Sequence, residues 1–163
     1  MFDDLLAANE RYQAKFHDPG VAGRAARGLA VLTCIDSRID PLAMLGLKPG
    51  DAKIIRNAGA RATPDAVRSL ILASNLLGVT RLCLVQHTDC AMVGRTEEDL
   101  RAKIGDMRGA DASGWTFMTT LDQVTAMKED VDLLRSCPLL PDDLEIGCFV
   151  FDVRSGALQP AFN

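Results

Sequence analysis

Four short apolar runs, Leu29 to Thr33, Lys53 to Arg56, Arg81 to Gln86 and Ile146 to Val153, are separated by polar and glycine-containing punctuation. Continuous apolar runs of this length, without strict alternation, predict strands buried on both faces. Between the second and third, Thr63-Pro64-Asp65 marks a helix start. It offers a capping hydroxyl, a proline at the first helical position and an acid in the first turn. Val67, Leu70, Ile71, Ser74 and Leu77 then recur on one face, and Gly78 stops the helix. A strand, a crossover helix and a second strand imply parallel pairing. The predicted fold class is α/β, a mainly parallel β-sheet flanked by helices, built as one domain over residues 1–163.

Three further stretches carry helical periodicity. Leu5, Asn9, Tyr12 and Phe16, with Phe2 and Leu6 beside them, predict an amphipathic arm over about residues 1–20, joined to the body by a connector from Gly20 to Gly28. That apolar stripe has no neighbour in sequence, so it packs either on the sheet or on a second subunit. His17 at its end reads as a surface residue. Leu100, Ile104 and Met107 predict a short helix, and Leu121, Val124, Met127, Val131 and Leu134 a longer one closed by Pro138. Gly109 to Gly114 reads as a loop between them.

Composition narrows the functional classes. A chain of 163 residues with 48% hydrophobic and 25% charged residues has the makeup of one globular core. The net charge of -4 and scattered Lys and Arg leave no basic footprint for nucleic acid or an anionic membrane, and neither is expected as a partner. Met1-Phe2-Asp3-Asp4 has neither the basic nor the apolar region of a secretory signal, which predicts a cytoplasmic protein. Five cysteines, an odd number, then read as reduced thiols. Cys83 and Cys148 fall within apolar runs, where a thiol acts as a small hydrophobe. Cys137, before Pro138, receives no role.

The remaining cysteines carry the candidate chemistry. Cys34-Ile35-Asp36-Ser37-Arg38 and His87-Thr88-Asp89-Cys90 each begin where an apolar run gives way to a loop. Ligands collect outside the carboxyl ends of parallel strands, so neighbouring first and third strands would bring Cys34, His87 and Cys90 together. Two sulfurs and one imidazole make a zinc site with an open fourth position, the arrangement of catalytic rather than structural zinc. Asp36 and Arg38 alternate with Cys34 and can form a charge-assisted pair beside the metal. Asp36 can also leave Arg38 and occupy the open position, a closed state that high pH would disfavour because hydroxide competes better. A permanently closed site would make the chain a non-catalytic zinc-stabilised binding or sensor protein. A Cys34 nucleophile activated by His87 leaves Cys90 unexplained and ranks below zinc.

These residues resemble the beta-class carbonic anhydrases, whose motif is Cys-x-Asp-x-Arg followed by His-x-x-Cys. Arg56-Asn57-Ala58-Gly59 is similar to the stretch between that family's motifs, and Gly147 to Val153 is similar to the last strand of its small bacterial members; the resemblance runs from about Leu29 to Leu158. It implies zinc on Cys34, His87 and Cys90, with Asp36 and Arg38 as the catalytic dyad. It further implies reversible hydration of carbon dioxide to bicarbonate and a proton by a zinc-bound hydroxide, in a homodimer or higher even oligomer whose amino-terminal helices reach across to the partner. Related enzymes with the same motifs hydrolyse carbonyl sulfide or carbon disulfide. Two features depart from the pattern: Ala91 stands where the family often has glycine, and no glutamine lies between Gly28 and Thr33.

Overall fold

In the computed structural model, which describes residues 1–162, five strands form one sheet in the order β2-β1-β3-β4-β5. They are β1 (Leu29–Cys34), β2 (Ala52–Asn57), β3 (Arg81–His87), β4 (Glu145–Phe151) and β5 (Leu158–Pro160). The first four run parallel, and β5 returns antiparallel along β4. The α/β class and the parallel sheet expected from the apolar runs are therefore present. Burial on both faces holds for β1 and β3, which lie inside the sheet, but not for the edge strand β2, half-buried with Arg56 exposed, nor for β4, where only Cys148 and Phe151 are buried. The run ending at Val153 also stops earlier as a strand. The chain turns after Phe151, with Gly156 N–H donating to Asp152 O at 2.8 Å, and comes back as β5.

Two helices, α3 (Pro64–Leu76) and α5 (Gln123–Arg135), cover one face of the sheet. Leu32, Leu82 and Leu84 meet Leu70, Met127 and Leu134 there. Thr63 caps α3 as the sequence predicts, its Oγ1 accepting from Ala66 N–H at 3.3 Å. α5 starts later than Leu121 because Asp122 is its cap, accepting from Val124 N–H at 3.0 Å; Leu121 lies outside and exposed. The opposite face, with Val31, Val85 and Phe151, packs beneath Ile39, Leu47 and the short helix α2 (Pro41–Met44). One turn of helix leaves no periodicity to read, so α2 escapes a sequence scan, although Asp40 caps it at 3.1 Å.

α4 (Glu97–Arg108) begins with a capping box between Thr96 and Asp99. α1 (Asp3–Gln13) is helical as expected but buries none of its residues. Its stripe of Phe2, Leu5, Leu6 and Tyr12 stays exposed and does not pack on the sheet. No helix among the described residues is long and apolar enough to cross a membrane.

Leu70 is fully buried where α3 meets the sheet. Leu70→Ala is expected to lower unfolding stability by about 2–5 kcal/mol through lost burial plus the residual cavity. Urea unfolding followed by circular dichroism measures it, and a loss under about 1 kcal/mol would contradict this packing.

Candidate metal centre

Parallel pairing of β1 with β3 sets Leu29 opposite Arg81 and Thr33 opposite Val85. Both strands therefore run out at the same sheet edge, one ending in Cys34 and the other in His87. The chain then turns through Asp89, which adopts a left-handed φ of 62°, and returns Cys90 to the same place. One ligand atom from each of Cys34, His87 and Cys90 lies within 4.8 Å of the others, and all three residues are buried.

The imidazole is held in one orientation. His87 Nδ1 lies 2.8 Å from the Thr88 carbonyl oxygen. A carbonyl only accepts, so Nδ1 carries the proton and Nε2 presents its lone pair. Nε2 is buried with no hydrogen-bond partner among the described residues. A carbonyl fixing the far nitrogen, with a bare near nitrogen beside two sulfurs, is the donor set of a borderline-soft cation such as zinc. The residues fit the metal.

The two sulfurs act on one another's titration. The neighbouring Cys90 thiol is the largest influence holding Cys34 down at about 4, against the effect of burial. His87 and the Gly59 amide, whose N–H donates to Cys34 Sγ at 3.4 Å, act in the same direction. The same contact with Cys34, followed by burial, pushes Cys90 far above the usual thiol range. Burial works against a charged His87, but the nearby Cys34 sulfur outweighs it and raises its pKa. A divalent cation on the cluster would displace the remaining thiol proton. By contrast Cys83 and Cys148 are pushed up to about 12 and about 11 by burial, which leaves them inert.

Asp36 and Arg38 pair as their alternation suggests. Arg38 Nε donates to Asp36 Oδ1 at 2.9 Å and Nη2 to Oδ2 at 2.7 Å. This side-chain hydrogen bonding is the main reason the Asp36 carboxyl titrates well below the usual range. Asp36 Oδ2 stands 3.9 Å from His87 Nε2, beside the cluster. The same guanidinium reaches the second motif, with Nη2 donating to Asp89 O at 3.2 Å and Nη1 at 3.4 Å from Asp89 Oδ2.

Several supporting residues escape a reading of the sequence. Arg56 on β2 donates to Cys34 O at 2.9 Å and to Asp36 O at 2.7 Å, fixing the first loop. Gln123 at the start of α5 donates to His87 O at 2.9 Å. Asp89 bridges Arg38 to Arg154, whose Nη2 lies 3.3 Å from Asp89 Oδ2. Asp89 had a local signal as an acid inside the second motif, and Arg56 stands in the Arg56–Gly59 stretch that carries the resemblance; Gln123 and Arg154 are brought in by tertiary structure. His17 is exposed on the arm, away from these groups.

The fold and the cluster together define an α/β protein with a Cys-His-Cys group able to hold a metal ion at the carboxyl edge of its sheet. The sequence profile described as carbonic anhydrase matches residues 29–134. Beta-carbonic anhydrase 1 of Mycobacterium tuberculosis is 35% identical over 157 residues, covering 96% of this chain and 95% of its own. The crystal structure of carbonic anhydrase from Streptococcus mutans superposes with a TM-score of 0.93 at 32% identity, covering 99% of this chain and 97% of that one. Carbon disulfide hydrolase of Acidianus sp. strain A1-3 is 32% identical, over 82% of this chain and 76% of its own. The chain belongs to the beta-carbonic anhydrase family, and is an enzyme of that class.

Gly59 has a φ of +79°, and a Cβ there would stand 3.3 Å from Met92 Cβ. Gly59→Ala is expected to cost about 1–3 kcal/mol of stability through backbone strain. Thermal unfolding checks it, and an unchanged melting temperature would contradict the conformation assigned to this turn.

Proposed function

We propose that the protein catalyses the reversible hydration of carbon dioxide to bicarbonate and a proton, with zinc held by Cys34, His87 and Cys90. The observation that carries this reading is the bare, buried Nε2 of His87 beside two cysteine sulfurs, with a locked carboxylate at 3.9 Å. Zinc bound there supplies Lewis acidity that makes water nucleophilic near neutral pH. Cys34 and Cys90 add two negative charges and so moderate that acidity, which gives an orienting group more to do. Asp36 is that group. Kept ionised by Arg38, it can only accept, so it takes a hydrogen bond from the attacking water and aims the oxygen lone pair at the carbon of the substrate. Released from Arg38, the same carboxylate can take the fourth ligand position and close the site. Arg38 therefore acts as the anchor that holds the site open.

Hydrolysis of carbon disulfide or carbonyl sulfide is the second reading, supported by the 32% identity to a carbon disulfide hydrolase. Both reactions place the same nucleophile on the central carbon of a linear electrophile. Carbon dioxide ranks first because the carbonic anhydrase relative aligns over 96% of the chain and the hydrolase over 82%. A cytoplasmic setting accords with five free cysteines. A homodimer, in which α1 lies on the partner, accounts for an apolar stripe that its own chain leaves exposed.

Cys34→Ser and Cys90→Ser are expected to lose zinc and activity together. Arg38→Ala is expected to keep stoichiometric zinc while activity drops about 10- to 100-fold. Stopped-flow assay with carbon dioxide, paired with hydrogen sulfide release from carbon disulfide, reads both. Parent-rate hydration by Arg38→Ala would refute the role of the pair, and sulfide release without hydration would reverse the ranking of substrates.

Leu5→Asp combined with Leu6→Asp is expected to shift the protein from dimer to monomer in light scattering after size exclusion. An unshifted mass would show that α1 does not make the interface.

A further inference from the structure

The most deeply buried ion pair among the described residues has no part in the dyad or the sulfur cluster. Asp130, midway along α5, is 1% exposed and Arg61 is 6% exposed. Arg61 Nε donates to Asp130 Oδ2 at 2.7 Å and Nη2 to Oδ1 at 3.2 Å, a two-pronged contact. The exposed Glu129 carboxylate stands 3.7 Å from Nη2, and Nη1 donates to Met118 O at 3.0 Å. Burying both charges carries a desolvation cost that apolar residues of similar volume would avoid, so stability alone is a weak reason for the pair.

Its connections supply a better reason. Arg61 N–H donates to Asn57 Oδ1 at 2.9 Å, and Asn57 Nδ2 returns to Arg61 O at 2.7 Å. These bonds close the turn after β2 that carries Gly59, the amide donor to Cys34 Sγ. The contact with Met118 O leads to the other sulfur. Two residues further on, Thr120 N–H donates to Met92 O at 3.0 Å, and Thr120 O accepts from Gly94 N–H at 2.8 Å. Val93 N–H in turn donates to Cys90 O at 3.1 Å. One arginine, with its main chain bonded into the first turn and its guanidinium holding α5 and Met118 O, thus braces the turns that support both cysteines. Amide donors to a thiolate draw off charge and fix its direction, so their placement sets how the sulfur meets a metal.

We infer that Arg61 and Asp130 are positioning residues, a buried clamp that sets Cys34 against Cys90 and thereby tunes the affinity of the cluster for its metal ion. The inference rests on the metal reading above. Its test uses metal-stripped full-length protein titrated with cobalt chloride against a competing chelator, with the thiolate-to-cobalt absorption band recorded. Asp130→Asn alone leaves Arg61 unpaired and can unfold the chain. The decisive variant is therefore Arg61→Met with Asp130→Leu, which keeps the space filled with apolar groups. Its cobalt affinity is expected to fall about 10-fold, with a shifted band, while folding is retained. Leu70→Ala, destabilised but remote from both turns, is expected to keep the wild-type affinity and band. Wild-type affinity and spectrum in the double variant would overturn the clamp, as would an equal loss in Leu70→Ala. Wild-type protein that takes up no cobalt would instead sink the metal reading, and the clamp with it.

Discussion

Parallel, unstaggered pairing of β1 with β3 is the constraint on which the rest of the molecule depends. It brings two strand ends 53 positions apart, Cys34 and His87, out at one sheet edge without any long loop having to carry them there. The register is enforced from both faces. Along β3, Leu82 and Leu84 face the helices while Cys83 and Val85 face the opposite core. A slip of one residue would exchange these sets and turn His87 to the wrong side of the sheet. The geometry of the cluster is thus underwritten by apolar packing spread over the sheet, not by the few polar contacts at its edge.

Outward from the cluster the charged side chains alternate in sign: Asp36, Arg38, Asp89, Arg154. Each exposed pair in that series contributes little to folding, because water and salt screen it. Their value lies in direction. Arg38 uses a planar fork to hold both oxygens of Asp36 and still reach the backbone of Asp89, so it ties the two motif loops together as it aims the carboxylate. A lysine offers a point charge and cannot make both contacts in one plane. The dyad is therefore also a hinge pin between the two halves of the site.

What the sequence made legible was whatever is encoded locally. The apolar runs, the Thr63-Pro64 helix start and the two loop motifs each lie within a few residues, and their strand-end positions imply convergence once the sheet is parallel. What stayed hidden is encoded across distance. Arg61 and Asp130 are separated by 69 positions, and nothing near either residue marks it as a partner. Gly59 belongs to a stretch the resemblance marks, yet its contact with a sulfur shows only in the fold. α2 and β5 are too short for periodicity to register, and Leu121 continues the apolar spacing of α5 although Asp122 caps the helix after it. The stripe on α1 was legible as apolar but not as unsatisfied, because whether a stripe finds a partner is a property of the whole fold.

The exposed apolar surface and the chemistry of the site bear on one another. Ile35 sits between Cys34 and Asp36 and is 62% exposed, an apolar side chain left open beside a charged cluster. A single chain thus presents the polar half of a reaction centre next to water. Carbon dioxide and carbon disulfide are both linear and apolar, and on the proposed reading the Asp36 acceptor would serve either. Discrimination must come from the apolar wall that receives the outer atoms, where a change of one methylene-sized group is worth about 1–3 kcal/mol. In the proposed dimer the second chain would provide that wall. Covering Ile35 would also exclude water and strengthen the Asp36–Arg38 interaction by lowering the local dielectric. On that reading, assembly would bear on substrate choice through the covering of Ile35.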